Sequence, residues 1–441
     1  MAAPDALARA LDDLLATAQA AQRMPAVVAA AFRDGEVVWQ RALGVADVEA
    51  DAPATVDHAF RIGSITKTFT AVCVLQLREE GLVDLDAALR SYVPEAPPGP
   101  TVRQALAHLT GIQREIPGNI WETLVMPGRE EVLARLEDAE QVLRAHERFH
   151  YSNLVYSLLG ELVVRRTGLS FADVLAARVL EPLGLSSTGL VPTGPRAAGY
   201  LVSPWADAVE RERDVEIPDP PAAMGQLWST VGDLARYGAF VAEGHADVLG
   251  KPVLDEMTTV HTVIDQDRWT VGWGLGFALV RRGDRVFAGH GGAMPGFLAF
   301  LGVHRGERTG AVVLTNSGAG PKPDELCLRL AETVLDVHAR APAPWRPDVV
   351  PADVGPLLGS WWTEGHEAVV SYLGGRLQVR VVGAPIGRDV AYLEQEGPDR
   401  WRVVEGYERG ERLEVVRDAD GTVTRLLLAT YPLTRVPQTF G

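Results

Sequence analysis

The chain has 441 residues, enough for two or three units with cores of their own, and 47% apolar with 23% charged residues excludes disorder, collagen and coiled coil. A net charge of −16 makes phosphate backbones and anionic membrane surfaces poor partners. Of 42 basic residues, three are lysine (Lys67, Lys251 and Lys322) and the other 39 are arginine, so a retained amine points to chemistry that a guanidinium cannot perform.

Residues 1–21 read as an amphipathic helix, with neither the basic start nor the apolar stretch of a secretory signal. No run approaches the roughly 18 apolar residues of a membrane span, and a cytoplasmic location is expected. Residues 26–33 and 36–41, joined by Asp34-Gly35, predict a β-hairpin. A helix is predicted from Ser64 to Gly81, with Gly81 at its C-terminal stop. Residues 85–240 read as helical pieces broken by Pro and Gly, one of them opened by a capping box from Thr230 to Asp233. Strands are predicted at 276–280, 285–290, 297–303 and 310–315, then a helix at 323–338. Cys73 and Cys327 lie in apolar helical stretches and read as buried free thiols. A Pro-rich break at 340–347 reads as a linker, and the short β-prone runs after it predict a small antiparallel sheet or barrel. The expected division is a catalytic domain at 1–338, a linker at 339–350 and a β domain at 351–441.

Three patterns carry chemistry. Ser64-Ile-Thr-Lys67 opens an apolar helix and sets a hydroxyl and an amine one turn apart on the same face. Desolvation and the positive helix end both favour the neutral amine; bringing a Lys pKa from about 10.4 to neutrality costs roughly 4 kcal/mol of differential stabilisation. Tyr151-Ser-Asn153 offers a phenol for proton transfer and an amide to hold an amine or a carbonyl. Gly289-His290-Gly291-Gly292-Ala293 ends a strand with glycines that allow a ligand close to the backbone. Each alone is weak: the first also describes an N-cap Ser beside a solvated Lys, and the third a turn histidine.

Together, and with His108-Leu-Thr-Gly-Ile112, Leu180-Glu-Pro-Leu-Gly-Leu185, Gly225-Gln-Leu-Trp-Ser-Thr230 and Gly292-Ala-Met-Pro-Gly-Phe297, these patterns resemble the serine β-lactamase and penicillin-binding-protein superfamily over about residues 5–335. The resemblance implies an α/β (α+β) domain in which both ends of the chain segment join one antiparallel sheet beside a helical region. For the tail it implies a lipocalin-like β-barrel. It also implies roles. Ser64 is the nucleophile and Lys67 its base; Tyr151 moves protons to the leaving group and from the incoming nucleophile; Asn153 orients Lys67 and substrate. The backbone N–H groups of Ser64 and Ala293 form the oxyanion hole, beside Gly291 and Gly292. His290 stands where the family often has Lys, which removes a permanent charge for a β-lactam carboxylate. No cofactor is implied.

Other patterns compete. His146-Glu-Arg-Phe-His150 matches a zinc-protease motif if it is helical, with Glu161 as a third ligand and a zinc hydrolase as the outcome. Gly-x-Ser-x-Gly does not occur. Gly272-Trp-Gly-Leu-Gly276 reads as a turn beside a strand. Trp121, Trp361 and Trp362 read as core, whereas Trp228 sits in a loop expected to face the site. Arg435, late in the tail, is a candidate grip for a peptide carboxylate. The resulting expectation is a serine acyl-transfer enzyme acting on an ester, thioester or amide of a peptide or small molecule, free or carrier-bound. Water as acceptor makes it a hydrolase; an amine on the same chain makes it a peptide cyclase of the penicillin-binding-protein-type thioesterase branch. A non-catalytic binding module of the same fold is the alternative from another class.

Overall fold

The computed structural model describes residues 4–338, 344–385 and 390–437; residues 339–343 of the expected linker lie outside the described residues. Contacts divide the chain into two units, Met1–Arg340 and Ala341–Gly441.

In the first unit, α1 (Pro4–Ala21) leads into the hairpin of β1 (Ala26–Arg33) and β2 (Glu36–Asp47). Asp34 and Gly35 take φ of +49° and +84°, the left-handed pair that a tight hairpin requires. β1 is a run of Val, Ala and Phe without a polar face, so it is stable only if covered on both sides. Val27, Ala29 and Ala31 pack with Leu7, Leu11 and Leu15 of α1, while Val28, Ala30 and Phe32 enter a larger core on the opposite face.

The rest of the unit adds β3 (Ala52–Pro53), α2 (Thr66–Glu79), α3 (Asn153–Thr167) and α4 (Val231–Glu243). It ends with β4 (Thr262–Val263), β5 (Val271–Trp273), β6 (Ala278–Arg282), β7 (Arg285–Met294), β8 (Phe297–His304), β9 (Thr309–Thr315) and α5 (Pro323–Val337). The strands form one antiparallel sheet in the order β3-β2-β1-β9-β8-β7-β6-β5-β4, so the first and last strands of the unit meet at its centre. α1 and α5 share one core and α2, α3 and α4 fill the other. The helix expected from Ser64 starts as a 3-10 turn, Gly63–Ile65, before α2, and Gly81 lies just past its end with φ +72°. At α4 only half of the expected capping box forms. Thr230 accepts from the Asp233 backbone N–H, but the Asp233 carboxylate accepts instead from Ser187 N and Thr188 Oγ1. Cys73 and Cys327 are buried free thiols. Among the described residues, no helix is long and apolar enough to cross a membrane.

The second unit is a closed barrel of eight sequential antiparallel strands: β10 (Gly359–Thr363), β11 (His366–Leu373), β12 (Arg376–Val381), β13 (Ala391–Gly397), β14 (Arg400–Glu405), β15 (Arg412–Arg417), β16 (Val423–Leu428) and β17 (Tyr431–Thr434). β17 returns to pair with β10. Alternate residues such as Leu377 and Val379 point inward around Trp361, whose indole N–H donates to Leu357 O at 2.7 Å.

Arg435 is a correction to the sequence reading. Its guanidinium lies 3.8 Å over the Trp361 ring and donates to the carbonyls of Pro356, Leu358 and Ser360, so it ties the barrel's own ends together and is not held out for a peptide carboxylate. Arg435→Ala should therefore lower barrel stability by about 1–2 kcal/mol, read as a fall in the thermal midpoint. A change in substrate KM with unchanged stability would restore the carboxylate role.

Candidate active site

Ser64 occupies the 3-10 turn that enters α2, and the i, i+3 spacing brings Lys67 Nζ to 3.0 Å from Ser64 Oγ. Lys67 is fully buried, one residue into an apolar helix, and its amine also donates to Asn153 Oδ1 (2.7 Å) and Met224 O (2.5 Å). Burial is the main cause that lowers its pKa to about 7; Glu115 pulls upward against it and Arg114 adds to the lowering. In the neutral form two protons satisfy the two fixed acceptors, and the lone pair is left for the Ser64 hydroxyl.

Asn153 is the first residue of α3, held there by Ser152, whose hydroxyl accepts from Val155 N and donates to Gln113 O. Asn153 Nδ2 donates to Glu115 Oε1 at 2.7 Å, so the amide faces the amine with its oxygen and the carboxylate with its nitrogen. The Tyr151 phenol lines the cleft beside Ser64, and burial holds it well above the usual range. His108 backs this tyrosine with ring centroids 4.2 Å apart, and its Nδ1 accepts from Ser152 N. Lys67 Nζ lies 5.0 Å from the Tyr151 ring centre.

The third wall is the end of β7. A Cβ on Gly292 would lie 1.9 Å from Ile62 O, and one on Gly63 would lie 2.6 Å from Ala293 N, with Gly63 at φ +49°. Only glycine at both positions lets the strand meet the nucleophile's turn, which brings Ser64 and Ala293 together in the wall of the cleft. His290 is buried, its Nδ1 2.5 Å from Gly291 O, and burial together with Lys67 lowers its pKa to about 3. It is a neutral imidazole and supplies no fixed cation.

These residues surround a cleft of about 810 Å³ that includes Ser64, Tyr151, Asn153, His290, Gly291, Gly292 and Ala293. The sequence reading missed several of its walls. Arg114 and Glu115 follow His108-Leu-Thr-Gly-Ile112 after one residue, Gln113, and Met224 precedes Gly225-Gln-Leu-Trp-Ser-Thr230, so the flanks of recognised stretches held the signal. Trp273 packs edge-on against His290 at 5.1 Å, and Trp121, expected in the core, is 37% exposed at the cleft.

Trp228 does not face the cleft. It is 2% exposed, packed on Phe297 and beneath the Arg61 guanidinium, because its strand pairs inward with residues 60–61. Residues 146–150 are irregular and not helical, with His146 at φ +67°, so the two histidines are not on one helix face. Glu161 instead pairs with Arg129 and Arg165. Among the described residues, no group of three His, Cys, Asp or Glu could hold a metal.

Comparisons place this architecture. The Beta-lactamase family model matches residues 11–335, and a domain of unknown function (DUF7586) matches 350–435. Esterase EstB of Burkholderia gladioli is 31% identical over 258 residues, covering 54% of this chain and 66% of the esterase. The chain spans about half to two thirds of the length of the first curated relatives it matches. The D-amino acid amidase of Ochrobactrum anthropi SV3, complexed with L-phenylalanine amide, is 26% identical with a TM-score of 0.64 over 75% of this chain and 99% of that one. The octameric penicillin-binding protein homologue of Pyrococcus abyssi shares the fold, with 24% identity and a TM-score of 0.65 over 96% of this chain and 99% of its own. Since the family match runs across nearly all of the unit that builds the cleft, the chain belongs to the beta-lactamase family.

Proposed function

We propose that the protein is a serine hydrolase that forms an acyl-enzyme on Ser64 from an ester, thioester or amide and releases it to water. The carrying observation is the buried Lys67 amine, 3.0 Å from Ser64 Oγ, with both its other contacts to fixed acceptors. Serine acyl transfer of this kind fits the esterase and amidase relatives.

Lys67 takes the Ser64 proton as Oγ attacks the carbonyl carbon. The Ser64 and Ala293 amides stabilise the oxyanion, a term worth about 2.7–4 kcal/mol per donor in other enzymes. Collapse breaks the bond to the leaving group, which receives a proton through Tyr151. Water then attacks the acyl-enzyme with its proton leaving by the same groups, and Ser64 is regenerated. Asn153 keeps the amine aligned, and His290 and the glycines of β7 shape the wall. Among the described residues, the cleft is lined by Glu115, Glu212 and Asp324 against one permanent cation, Arg114, and His290 adds none. That balance suits acyl groups bearing an ammonium better than the carboxylate of a β-lactam antibiotic.

Macrocyclisation of a carrier-bound peptide thioester is the other fate of the same acyl-enzyme. The carboxylate grip expected for it at Arg435 is engaged within the barrel, which favours water. The buried thiols suit work in the reducing cytoplasm.

A fluorophosphonate should label the wild type on Ser64, shown by peptide mass spectrometry, and Ser64→Ala should not be labelled; equal labelling of both would remove the reading. A linear peptide thioester ending in a D-residue should give the linear acid, and a cyclic product would select the cyclase instead. Because only the neutral amine accepts the Ser64 proton, kcat/KM for p-nitrophenyl acetate should rise with pH, level off above about 7, and fall tenfold per unit below it. Lys67→Arg should cost about 10²–10⁴-fold in kcat/KM. A flat profile from pH 5 to 9 would contradict the assignment of Lys67 as base.

A further inference from the structure

Among the described residues, Arg114 is the one Lys or Arg that lines the cleft. Its Nε donates to Glu115 Oε1 at 3.2 Å, and among the described residues its two terminal nitrogens meet no acceptor. The side chain is 62% exposed and its guanidinium lies 4.9 Å over the Tyr151 ring, a ring that also neighbours His108, Phe149, Trp273, His290 and the Lys67 amine. The guanidinium is therefore held by stacking and by one N–H at the wall of the cleft, while its two terminal nitrogens keep their hydrogen bonds to give. A planar fork of this kind fits a carboxylate through two parallel hydrogen bonds.

We infer that Arg114 forms a subsite for a carboxylate on the leaving group. The inference rests on the acyl-transfer reading above, in which Tyr151 delivers a proton to the departing atom. A leaving group in that position lies over Tyr151, and Arg114 stacks on the same ring. A carboxylate a few ångströms beyond the scissile bond, as on the C-terminal side of a short peptide, meets those two nitrogens. The surrounding field argues the opposite way: with Glu115, Glu212 and Asp324 in the walls and a net charge of −16, an anionic leaving group is repelled unless Arg114 engages it directly. Selectivity for the anion is thus a signature that the background charge cannot produce.

The experiment compares two acetate esters with near-isosteric leaving groups, 3-carboxyphenyl acetate and 3-carbamoylphenyl acetate, each rate divided by that ester's hydroxide hydrolysis. The full-length wild type should prefer the carboxylate by at least fivefold in kcat/KM, expressed mainly in KM. Arg114→Gln should bring that ratio below 1, and Arg114→Lys should keep part of the preference. The ratio is internal to each variant, so a general loss of folding or of Tyr151 placement does not move it. Equal rates for the two esters in the wild type, or a ratio unchanged in Arg114→Gln, overturns the subsite alone. Failure of the wild type to turn over either ester while a fluorophosphonate labels Ser64 also counts against the subsite; failure of both turnover and labelling brings down the acyl-transfer reading with it.

Discussion

An amine that is fully buried and has no carboxylate in hydrogen-bonding contact loses most of its preference for the charged form, and the cleft is organised around that constraint. Lys67 meets the start of α3 through Asn153, the turn before Gly225 through Met224, and its own helix through Ser64. Three segments distant in sequence therefore converge on one nitrogen. Glu115 touches that nitrogen only through the Asn153 amide, a spacing that tempers the desolvation without undoing it. A direct carboxylate partner would fix the ammonium and leave no lone pair for the serine. The other two lysines are exposed, one in an i, i+4 pair with Asp255, where an arginine would serve as well.

The sheet supplies the second half of the arrangement. β7 carries His290 to Ala293 to the lip of the cleft, and its path is set by pairing on both sides with β6 and β8. The nucleophile's turn is set by the packing of α2 in the larger core. The two meet backbone to backbone at Gly63 and Gly292, with no side chain between them to adjust. The separation of Ser64 and Ala293 at the cleft wall is thus inherited from core packing and strand register.

Much of this was legible in the residues. The hairpin follows from Asp34-Gly35 because few other dipeptides adopt two left-handed conformations in succession. The convergence of Ser64, Lys67, Tyr151, Asn153 and His290 on one cleft was foreseen through resemblance, since nothing in local spacing brings positions 64, 151 and 290 together. The misses share a cause. Whether Trp228 faces inward depends on which neighbour its short strand pairs with, and whether Arg435 is free depends on three barrel carbonyls. Arg114 and Glu115 look like ordinary surface charges until the fold places them against Tyr151 and Asn153. These are contacts between segments far apart in the chain, and no periodicity encodes them.

The strand lengths have a consequence for association. The nine-stranded sheet ends on two two-residue strands, one of which contains Pro53, and the barrel closes on itself. β3 covers β2 only at Val45 and Asp47, so residues 36–44 of β2 pair with β1 on one side and leave the other side of that segment as an edge. A chain that extended this sheet would have to pair along that segment, where the exposed Glu36, Gln40 and Arg41 put polar and charged side chains in its way.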